Sequence, residues 1–335
     1  MKSFLRLPLY LLVLGALAQA APALRAAAGP VPLEEQRKTE LRNRLCKQKD
    51  LSCAFVNSVF ADPRLKIYEP PKPTAPPPAT PAPREHQRNP YLTTRFGLLT
   101  PESLERCRSV IEEHELTFEA AYDIYGVPKE VICGHLRIET NFGMSTKLSP
   151  NPFGSLPAVN RLVTLYVRRP TQKQTTSSFA RRQAFALREL SGLLRTGEKQ
   201  GWDLFEIPGS LTGAIGLGQF EPSSFDVAVD GDGDGKIDLF DRDDAILSIA
   251  HYLVTRGFDR SPDHQKRAIY AYYGGHYNTD PNKFYMNAVL KYAEGVRTYL
   301  KDHPVESEFA FLQQPITLQQ TAIVLPDGAL SLPKP

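Results

Sequence analysis

One segment in the middle of the chain combines apolar and polar residues with a clear helical period. Four positions there share one face: Ile132, His135, Leu136 and Glu139. Their spacing of i, i+3, i+4 and i+7 is that of a stripe along an α-helix. Pro128 favours a helix start, whereas Asn141 and Gly143 favour a helix end. The pattern predicts a helix over 129–139 whose mostly apolar stripe ends in the carboxyl group of Glu139.

Further helices are predicted from similar periodicity and from local capping signals. The predicted segments are 33–60, about 100–125, 179–196, 243–257 and 285–300. Thr100, Pro101 and Glu102 supply a cap, a proline at the first helical position and an acid in the first turn. The polar and basic stretch 164–178 has little periodicity and is predicted to be a loop. Because no convincing run of alternating strand residues occurs, we expect a mainly α fold.

The N-terminus has the layout of a secretory signal peptide. Lys2 and Arg6 precede the apolar run Leu7–Leu17, which is followed by Ala18-Gln19-Ala20. The run is short for a membrane span, although an uncleaved N-terminal anchor is the alternative. No cysteine lies near the cleavage point, so attachment of a lipid is not indicated. We therefore expect a periplasmic protein without a membrane span after cleavage.

Composition and periodicity divide the whole chain into six segments. We expect a signal peptide at 1–20, a flexible leader at 21–32, an N-terminal helical segment at 33–68 that packs on the main domain, a Pro-rich loop or linker at 69–90, the main domain at 91–303 and a partly disordered tail at 304–335. Eight prolines between residues 69 and 83 exclude a helix or a central strand there.

Charge and cysteine content narrow the classes of function. The net charge of +3 over 335 residues is too small to indicate nucleic-acid binding. None of the four cysteines has zinc-finger spacing with a nearby histidine. Export makes disulfides possible, and Cys46 and Cys53 are close enough in sequence to pair, but three full pairings remain open.

Glu139 is the candidate for acid catalysis. Burial beside an apolar stripe disfavours the charged form of a carboxyl group and raises its pKa. The C-terminal end of the helix dipole acts in the same direction. A carboxyl group that stays protonated near neutral pH can serve as a general acid. The alternative is that Glu139 is a solvated surface residue.

An acidic loop, Asp230–Asp241, has the spacing of a twelve-residue calcium loop. Aspartates occupy its positions 1, 3, 5 and 9, and Gly235 is at position 6, where the chain must turn. The candidate ligands are Asp230, Asp232, Asp234, the carbonyl of Lys236, and a closing carboxylate from Asp241 or, if the loop is longer, Asp244. We expect a structural calcium ion rather than a sensor site; a solvated acidic turn is the alternative.

Several ordered motifs resemble the lytic murein transglycosylases of the B type, relatives of goose-type lysozyme. The first is Tyr125-Gly126-Val127-Pro128 followed by Glu139-Thr140-Asn141-Phe142-Gly143; the second is the segment 209–224, GSLTGAIGLGQFEPSS; the third is Ala228-Val229-Asp230 with the acidic loop. The resemblance covers about residues 41–300. It implies a lysozyme-like (goose-type) catalytic domain with an EF-hand-like calcium loop and a helical N-terminal extension.

The resemblance also assigns roles to individual residues. It implies that Glu139 is the catalytic acid and base. The substrate-binding candidates are Gln219, Ser210, Arg181, Arg182, Tyr277, Asn278 and Phe142. A basic insertion at about 168–178 leaves the register of the arginine pair open, and Tyr272-Tyr273-Gly274-Gly275 is an alternative to Tyr277-Asn278. The aromatic residues Phe142, Phe220 and Tyr277 could stack on sugars or belong to the core.

The function implied by the resemblance is cleavage of the β-1,4 bond between N-acetylmuramic acid and N-acetylglucosamine. Protonated Glu139 would protonate the glycosidic oxygen, and the muramic C6 hydroxyl would then close on C1 to form a 1,6-anhydro sugar. A hydrolase on the same fold, a non-catalytic wall-binding protein and a calcium-regulated module are the alternatives. Peptidoglycan glycan strands and other cell-wall enzymes are the candidate partners, with no nucleic acid and no organic cofactor.

Overall fold

The computed structural model describes residues 32–69, 89–146, 149–170, 174–274, 277–278 and 280–306. The expected signal peptide and most of the expected leader, Pro-rich segment and tail lie outside these residues. None of the helices within the described ranges is both long and apolar enough to cross a membrane.

The described residues are mainly helical, which confirms the predicted fold class. The α-helices are α1 (Leu33–Leu45), α2 (Cys53–Ala61), α3 (Pro101–Glu113), α4 (Glu115–Tyr125), α5 (Lys129–Thr140), α6 (Ala158–Val167), α7 (Thr176–Gln200), α8 (Arg242–Thr255), α9 (Pro262–Tyr272) and α10 (Phe284–Asp302). Two 3-10 helices, Pro90–Leu92 and Pro222–Val227, lie between them. Two-residue strands, β1 (Leu156–Pro157) and β2 (Pro208–Gly209), form one antiparallel pair in which Leu156 is opposite Gly209.

Three predicted boundaries were wrong. The expected helix from 33 to 60 is two helices, because a disulfide between Cys46 and Cys53 closes the loop that separates α1 from α2. The expected helix from 100 to 125 breaks at His114, whose backbone leaves helical geometry (φ −121°, ψ 34°). The predicted loop 164–178 is helical at both ends, since α6 continues to Val167 and α7 begins at Thr176.

The pairing of helices explains where the candidate site lies. Helix α5 packs mainly against α10, α6 against α7, and α4 against α8, while the 3-10 helix Pro222–Val227 lies on α7. The N-terminal helix α1 contacts α6. One continuous hydrophobic core runs through these helices. Helix α5 therefore carries Glu139 out of the centre of the core toward α9, α10 and the Gly-rich segment 209–224.

Candidate active site

Helix α5 ends in a way that fixes the orientation of Glu139. Its last residue is followed by Asn141, which adopts a left-handed conformation (φ 54°). The Asn141 amide group donates to the carbonyl of Met144 at 3.1 Å and accepts from Arg106 at 2.7 Å. The backbone N–H of Phe142 donates to the carbonyl of Leu136, which satisfies a terminal carbonyl of the helix. The turn that bears Glu139 is thus held by side-chain and backbone hydrogen bonds.

The carboxyl group of Glu139 lies against Tyr285 of α10. The Tyr285 hydroxyl donates to Glu139 Oε1 at 2.5 Å. Glu139 is half-buried, and its stripe neighbours Ile132 and Leu136 are buried. Burial raises the pKa of Glu139 to about 7, and the hydrogen bond from Tyr285 opposes part of that rise. Glu139 thus lies at the end of the apolar stripe, and burial there favours the protonated form of its carboxyl group.

A buried histidine lies behind this pair. His135 Nδ1 is 2.8 Å from the Tyr285 hydroxyl oxygen, and the His135 side chain is fully buried. Desolvation lowers the pKa of His135 to about 3, so the imidazole is neutral at physiological pH. The ring of Tyr272 lies 4.3 Å from the His135 ring, and the Tyr272 hydroxyl donates to the carbonyl of Gly218 at 2.6 Å. These contacts connect α5, α9, α10 and the Gly-rich segment.

Glu139 opens into a groove of about 660 Å³. The lining residues come from α5, α7, α8, α9, the turn after α9 and the segment 210–224: Glu139, Phe185, Arg188, Ser210, Thr212, Ala214, Gln219, Phe220, Glu221, Ser223, Ser224, Tyr252, Arg256, Ala271, Tyr272, Tyr273 and Gly274. Another pocket of the same volume lies between α4 and Arg297, away from Glu139. We assign the candidate active site to the groove because the half-buried carboxyl group of Glu139, whose pKa burial raises to about 7, opens into it.

Two of the predicted substrate-binding residues line this groove. Gln219 has a left-handed backbone (φ 50°) in a tight turn closed by the bridge between Ile215 and Phe220. Its side-chain amide donates to the carbonyl of Gly216 at 3.0 Å, which leaves the amide oxygen to accept a further bond. The Ser210 hydroxyl accepts from the backbone N–H of Ala214 at 3.1 Å. Both side chains are neutral, so neither lowers the pKa of Glu139 as a nearby cation would.

The predicted arginine pair lies elsewhere. The guanidinium group of Arg182 donates to the carbonyl of Arg168 at 2.6 Å and to Gln174 at 3.0 Å. Neither Arg181 nor Arg182 lines the groove, whereas Arg188, two turns further along α7, does. The stretch preceding α7 therefore engages Arg182, and the following turns of the same helix contribute a different cation, Arg188, to the groove.

The aromatic predictions also need correction. Phe142 is only 2 % exposed and belongs to the core, so it cannot stack on a ligand in this conformation. Tyr277 packs edge-on against Tyr270 and does not line the groove; nor does Asn278, which is exposed. The alternative candidates Tyr272 and Tyr273 do line it. Tyr285, which follows Tyr277 and Asn278 in the motif, is the tyrosine that contacts Glu139.

Arg188 and Glu221 are groove residues that sequence reasoning missed. An Arg188 Nη lies 3.7 Å from Glu221 Oε2, and Arg188 Nε lies 2.6 Å from the buried Glu189. Glu221 directly follows Gln219 and Phe220 in the sequence, and Arg188 lies about two turns after the arginine pair on α7. Their closeness in sequence to residues predicted at the groove is the signal that could have identified them.

The acidic loop brings three carboxylates together at the start of α8. Ligand oxygens of Asp230, Asp232 and Asp244 lie within 4.8 Å of one another. Asp244 is buried, and its oxygens accept from the backbone of Gly231 and Asp238. This geometry agrees with the longer loop in which Asp244 is the closing carboxylate.

The other predicted ligands have different contacts. Asp241 is the N-cap of α8, since its carboxylate accepts from the backbone N–H groups of Asp243 and Asp244 at 2.8 and 3.3 Å. Asp234 accepts from the backbone N–H of Lys236 at 2.8 Å, which keeps the loop turned. The convergent oxygens of the remaining three aspartates form a donor set suited to a hard cation such as Ca²⁺.

Comparison with known proteins identifies relatives of this chain. It is 31 % identical to the membrane-bound lytic murein transglycosylase B of Escherichia coli over 169 residues, which are 50 % of this chain and 42 % of that protein. The alignment thus spans less than half of the relative.

Solved structures share the fold. The lytic transglycosylase Slt35 of Escherichia coli in complex with calcium superimposes with a TM-score of 0.54 and 19 % identity, covering 80 % of this chain and 93 % of that chain. SltB3 of Pseudomonas aeruginosa in complex with NAG-anhNAM-pentapeptide superimposes with a TM-score of 0.57 and 18 % identity, covering 79 % and 80 %. At these identities the likeness concerns the fold, and it confirms the expected lysozyme-like class.

A family model decides the membership of the chain. The model described as the transglycosylase SLT domain matches residues 34–323, a range that includes both the N-terminal helices and every element around the groove. Together with the identity to lytic murein transglycosylase B, this match confirms the resemblance to B-type lytic transglycosylases that the motifs predicted. The chain belongs to the transglycosylase SLT domain family.

Proposed function

We propose that the protein is a lytic transglycosylase that cleaves the β-1,4 bond between N-acetylmuramic acid and N-acetylglucosamine in peptidoglycan. The observation that carries this proposal is the carboxyl group of Glu139, which opens into a groove and whose pKa is raised to about 7. A carboxyl group with that pKa is protonated often enough to act as an acid and ionised often enough to act as a base.

The reaction then uses one carboxyl group twice. Glu139 gives its proton to the glycosidic oxygen as the bond to C1 breaks. The resulting carboxylate takes the proton of the muramic C6 hydroxyl, whose oxygen closes on C1 to form the 1,6-anhydro sugar. Gln219 and Ser210 can hold the sugar by hydrogen bonds without adding charge. The anhNAM-containing ligand of SltB3 is the product type expected of this route.

A muramidase-type hydrolase is the second candidate, and one observation favours it. Glu221 is a second carboxylate on the same groove, and glycosidases that use water or a covalent intermediate need two. Burial and the nearby Glu189 raise the pKa of Glu221, and the cation of Arg188 opposes part of that rise. A carboxylate with a raised pKa is a better base for activating water.

The test is digestion of purified sacculi with the mature protein, followed by mass analysis of the soluble fragments. The proposal predicts muropeptides one water lighter than hydrolytic products. It also predicts that Glu139→Gln lowers their release by roughly a hundredfold or more, and that Glu221→Gln has little effect. Reducing-end products that depend on Glu221 would instead identify a hydrolase. Binding to sacculi without any release would identify a non-catalytic wall-binding protein.

Calcium is proposed as a structural ion. Asp230, Asp232 and Asp244 would hold it through their convergent oxygens, with Asp234 and the Lys236 carbonyl as further candidates. Slt35, which shares the fold, has been solved with calcium. A bound cation would offset the repulsion among these carboxylates and fix the start of α8. The other end of that helix carries Tyr252 and Arg256, which line the groove.

The proposed substrate and location follow from the same family. Peptidoglycan glycan strands are the proposed partner, and SltB3 has also been solved with NAG-NAM-pentapeptide. The periplasm is the proposed location, in agreement with the predicted signal peptide. Contact with other cell-wall enzymes stays a prediction.

A further inference from the structure

Three side chains form a hydrogen-bonded chain that ends at the proposed acid. His135 Nδ1 lies 2.8 Å from the Tyr285 hydroxyl oxygen, and that hydroxyl lies 2.5 Å from Glu139 Oε1. His135 is 0 % exposed and Tyr285 is 3 % exposed, so solvent does not compete for these bonds. His135 and Glu139 are four residues apart on α5 and therefore share one helical face.

When Glu139 is ionised, chemistry determines the direction of the hydrogen bonds in this chain. An ionised carboxylate only accepts, so Tyr285 must donate its single hydroxyl hydrogen to Glu139. The Tyr285 oxygen then accepts from His135, which requires the tautomer with its hydrogen on Nδ1. In that tautomer the other ring nitrogen, Nε2, carries no hydrogen, and Nε2 is buried without a hydrogen-bond partner among the described residues. The opposite tautomer would bury an unsatisfied N–H donor there.

We propose that His135 is a positioning residue for Glu139. By donating from Nδ1 to Tyr285, it keeps the tyrosine hydrogen on Glu139 Oε1, so that the acidic proton of Glu139 resides on Oε2 and leaves from that oxygen. Without His135, the Tyr285 hydroxyl could rotate and accept the acidic proton, which would withhold it from the glycosidic oxygen. This inference rests on the proposed function of Glu139.

Three tyrosines around Glu139 do not titrate in the same range. Tyr285 and Tyr272 have pKa values raised well above the ordinary value by burial, and that of Tyr91 is raised to about 12. Tyr273 stacks on Tyr285, and Arg188 and Glu221 complete the charged and titratable lining near α7. Burial raises the pKa of Glu221 too, so Glu221→Gln is needed to assign the alkaline limb of activity. A limb that persists in Glu221→Gln reports Glu139.

The experiment compares His135→Leu with His135→Asn and His135→Gln. The amide nitrogen of asparagine can occupy the place of Nδ1, whereas that of glutamine corresponds to Nε2. We expect His135→Leu and His135→Gln to lower kcat roughly tenfold at unchanged KM and to shift the alkaline limb upward by roughly half a pH unit or more. His135→Asn should retain most of the wild-type kcat and keep the alkaline limb near its wild-type position. In a Tyr285→Phe background, His135→Leu should have no further effect.

A second readout does not depend on turnover. The ¹³C carboxyl resonance of Glu139, assigned by its loss in Glu139→Gln, should titrate at higher pH in His135→Leu than in the wild type and His135→Asn. His251→Leu is the matched control, because His251 Nδ1 is bonded to the Val227 carbonyl and does not line the groove.

Particular results would overturn the inference. If Glu139 titrates at the same pH in the wild type, His135→Leu and His135→Gln, the inference is wrong. It is also wrong if His135→Leu lowers kcat equally in the wild type and in Tyr285→Phe. If His135→Leu does not fold, the comparison of His135→Asn with His135→Gln still tests the inference. A wild type that releases no muropeptides would reject the proposed function, and the carboxyl titration would still test the role of His135.

Discussion

Gly134 of α5 packs directly against Val289 of α10. A Cβ atom placed on Gly134 would lie 2.9 Å from Val289 Cγ1 and 3.1 Å from the Val289 carbonyl oxygen. These are the two helices that carry Glu139 and Tyr285. The absence of a side chain at Gly134 therefore allows the interhelical distance at which the Tyr285 hydroxyl reaches the carboxyl group.

Gly134→Ala should impair activity more than stability. The added methyl group must displace the stiff Val289 side chain and backbone, and overpacking of this kind costs about 1–3 kcal/mol. Replacing glycine by alanine inside a helix returns up to about 1 kcal/mol. Because α10 must shift away from α5, we expect at least a roughly tenfold loss of muropeptide release with only a small change in the melting temperature.

Gly295→Ala on α10 is the matched control. Its added methyl group meets Leu99 Cδ2 at 2.8 Å, which is the end of a flexible side chain that can move aside, and Gly295 does not line the groove. We expect wild-type activity from this variant. Equal activity of the two variants would mean that the approach of Gly134 to Val289 does not set the position of Tyr285.

Local sequence information was sufficient for some parts of this site. The helical stripe and the turn after it depend on neighbouring residues, so the helix, its end and the environment of Glu139 could be predicted. The same stripe contains His135, but its bond to Tyr285 joins residues 150 positions apart and has no local signal. Tertiary contacts of this kind decide which polar residues on an apolar face are functional.

The predictions that were wrong or left open have the same physical origin, namely contacts that local sequence patterns do not reveal. Arg182 was expected at the groove because of its motif, but the chain preceding α7 supplies carbonyl acceptors that hold it elsewhere. His114 interrupts a sequence that is helical on both sides, and its imidazole Nδ1 lies 2.9 Å from Asp243 of α8. Asp244 was identifiable only as an alternative, because loop spacing does not reveal that Asp241 caps the next helix.

The stability of Glu139→Gln relative to the wild type should depend on pH. The ordinary pKa of 4.5 is raised to about 7 in the folded protein. A raised pKa means that the stability associated with the protonated form is present below about 4.5 and is lost as the pH rises through about 7. Glutamine cannot ionise and does not incur this loss.

The pKa shift sets an upper bound on the difference in the free energy of unfolding between Glu139→Gln and the wild type. The full shift would correspond to at most about 3 kcal/mol, and partial access of solvent to the half-buried side chain reduces it. We expect Glu139→Gln to be about 1–2 kcal/mol more stable than the wild type at pH 8 and close to it at pH 4.5, as measured by urea unfolding. A difference that is the same at both pH values would show that the carboxyl group does not titrate as proposed.

Asp244→Asn should abolish stabilisation by calcium. If the ion binds the folded protein only, a concentration one hundred times the Kd adds about 2.7 kcal/mol to the free energy of unfolding. We expect calcium to raise the melting temperature of the chelator-treated wild type by several degrees. Asp244→Asn keeps the size of the side chain but removes a convergent charge, so calcium should have little effect on it.

Asp241→Asn is the matched control for the metal site. Asparagine is as good an N-cap as aspartate, so α8 should begin normally in this variant. Because Asp241 lies outside the convergent group, the calcium-dependent rise in melting temperature should persist. A response that is lost in Asp241→Asn and kept in Asp244→Asn would identify Asp241 as the closing ligand instead.

Two carboxylates near Arg188 should differ sharply in their contribution to stability. Glu189 is fully buried and accepts from the Ser223 backbone N–H at 2.8 Å, from the Ser223 hydroxyl at 3.1 Å and from Arg188 at 2.6 Å. In Glu189→Gln, an NH₂ group must face one of these donors, which leaves a buried polar group unsatisfied. We expect a loss of about 2–4 kcal/mol in the free energy of unfolding.

Glu221→Gln is the corresponding change at a solvated carboxylate. The Glu221 side chain is 47 % exposed and lies 3.7 Å from Arg188, so the loss of this ion pair should cost between 0 and about 1 kcal/mol. Glu189 holds Ser223 against α7, and Ser223 belongs to the 3-10 helix Pro222–Val227, which begins two residues after Phe220. Glu189→Gln should therefore also weaken binding to sacculi, although Glu189 does not line the groove. Equal stabilities of the two variants in urea unfolding would show that Glu189 does not anchor this wall of the groove.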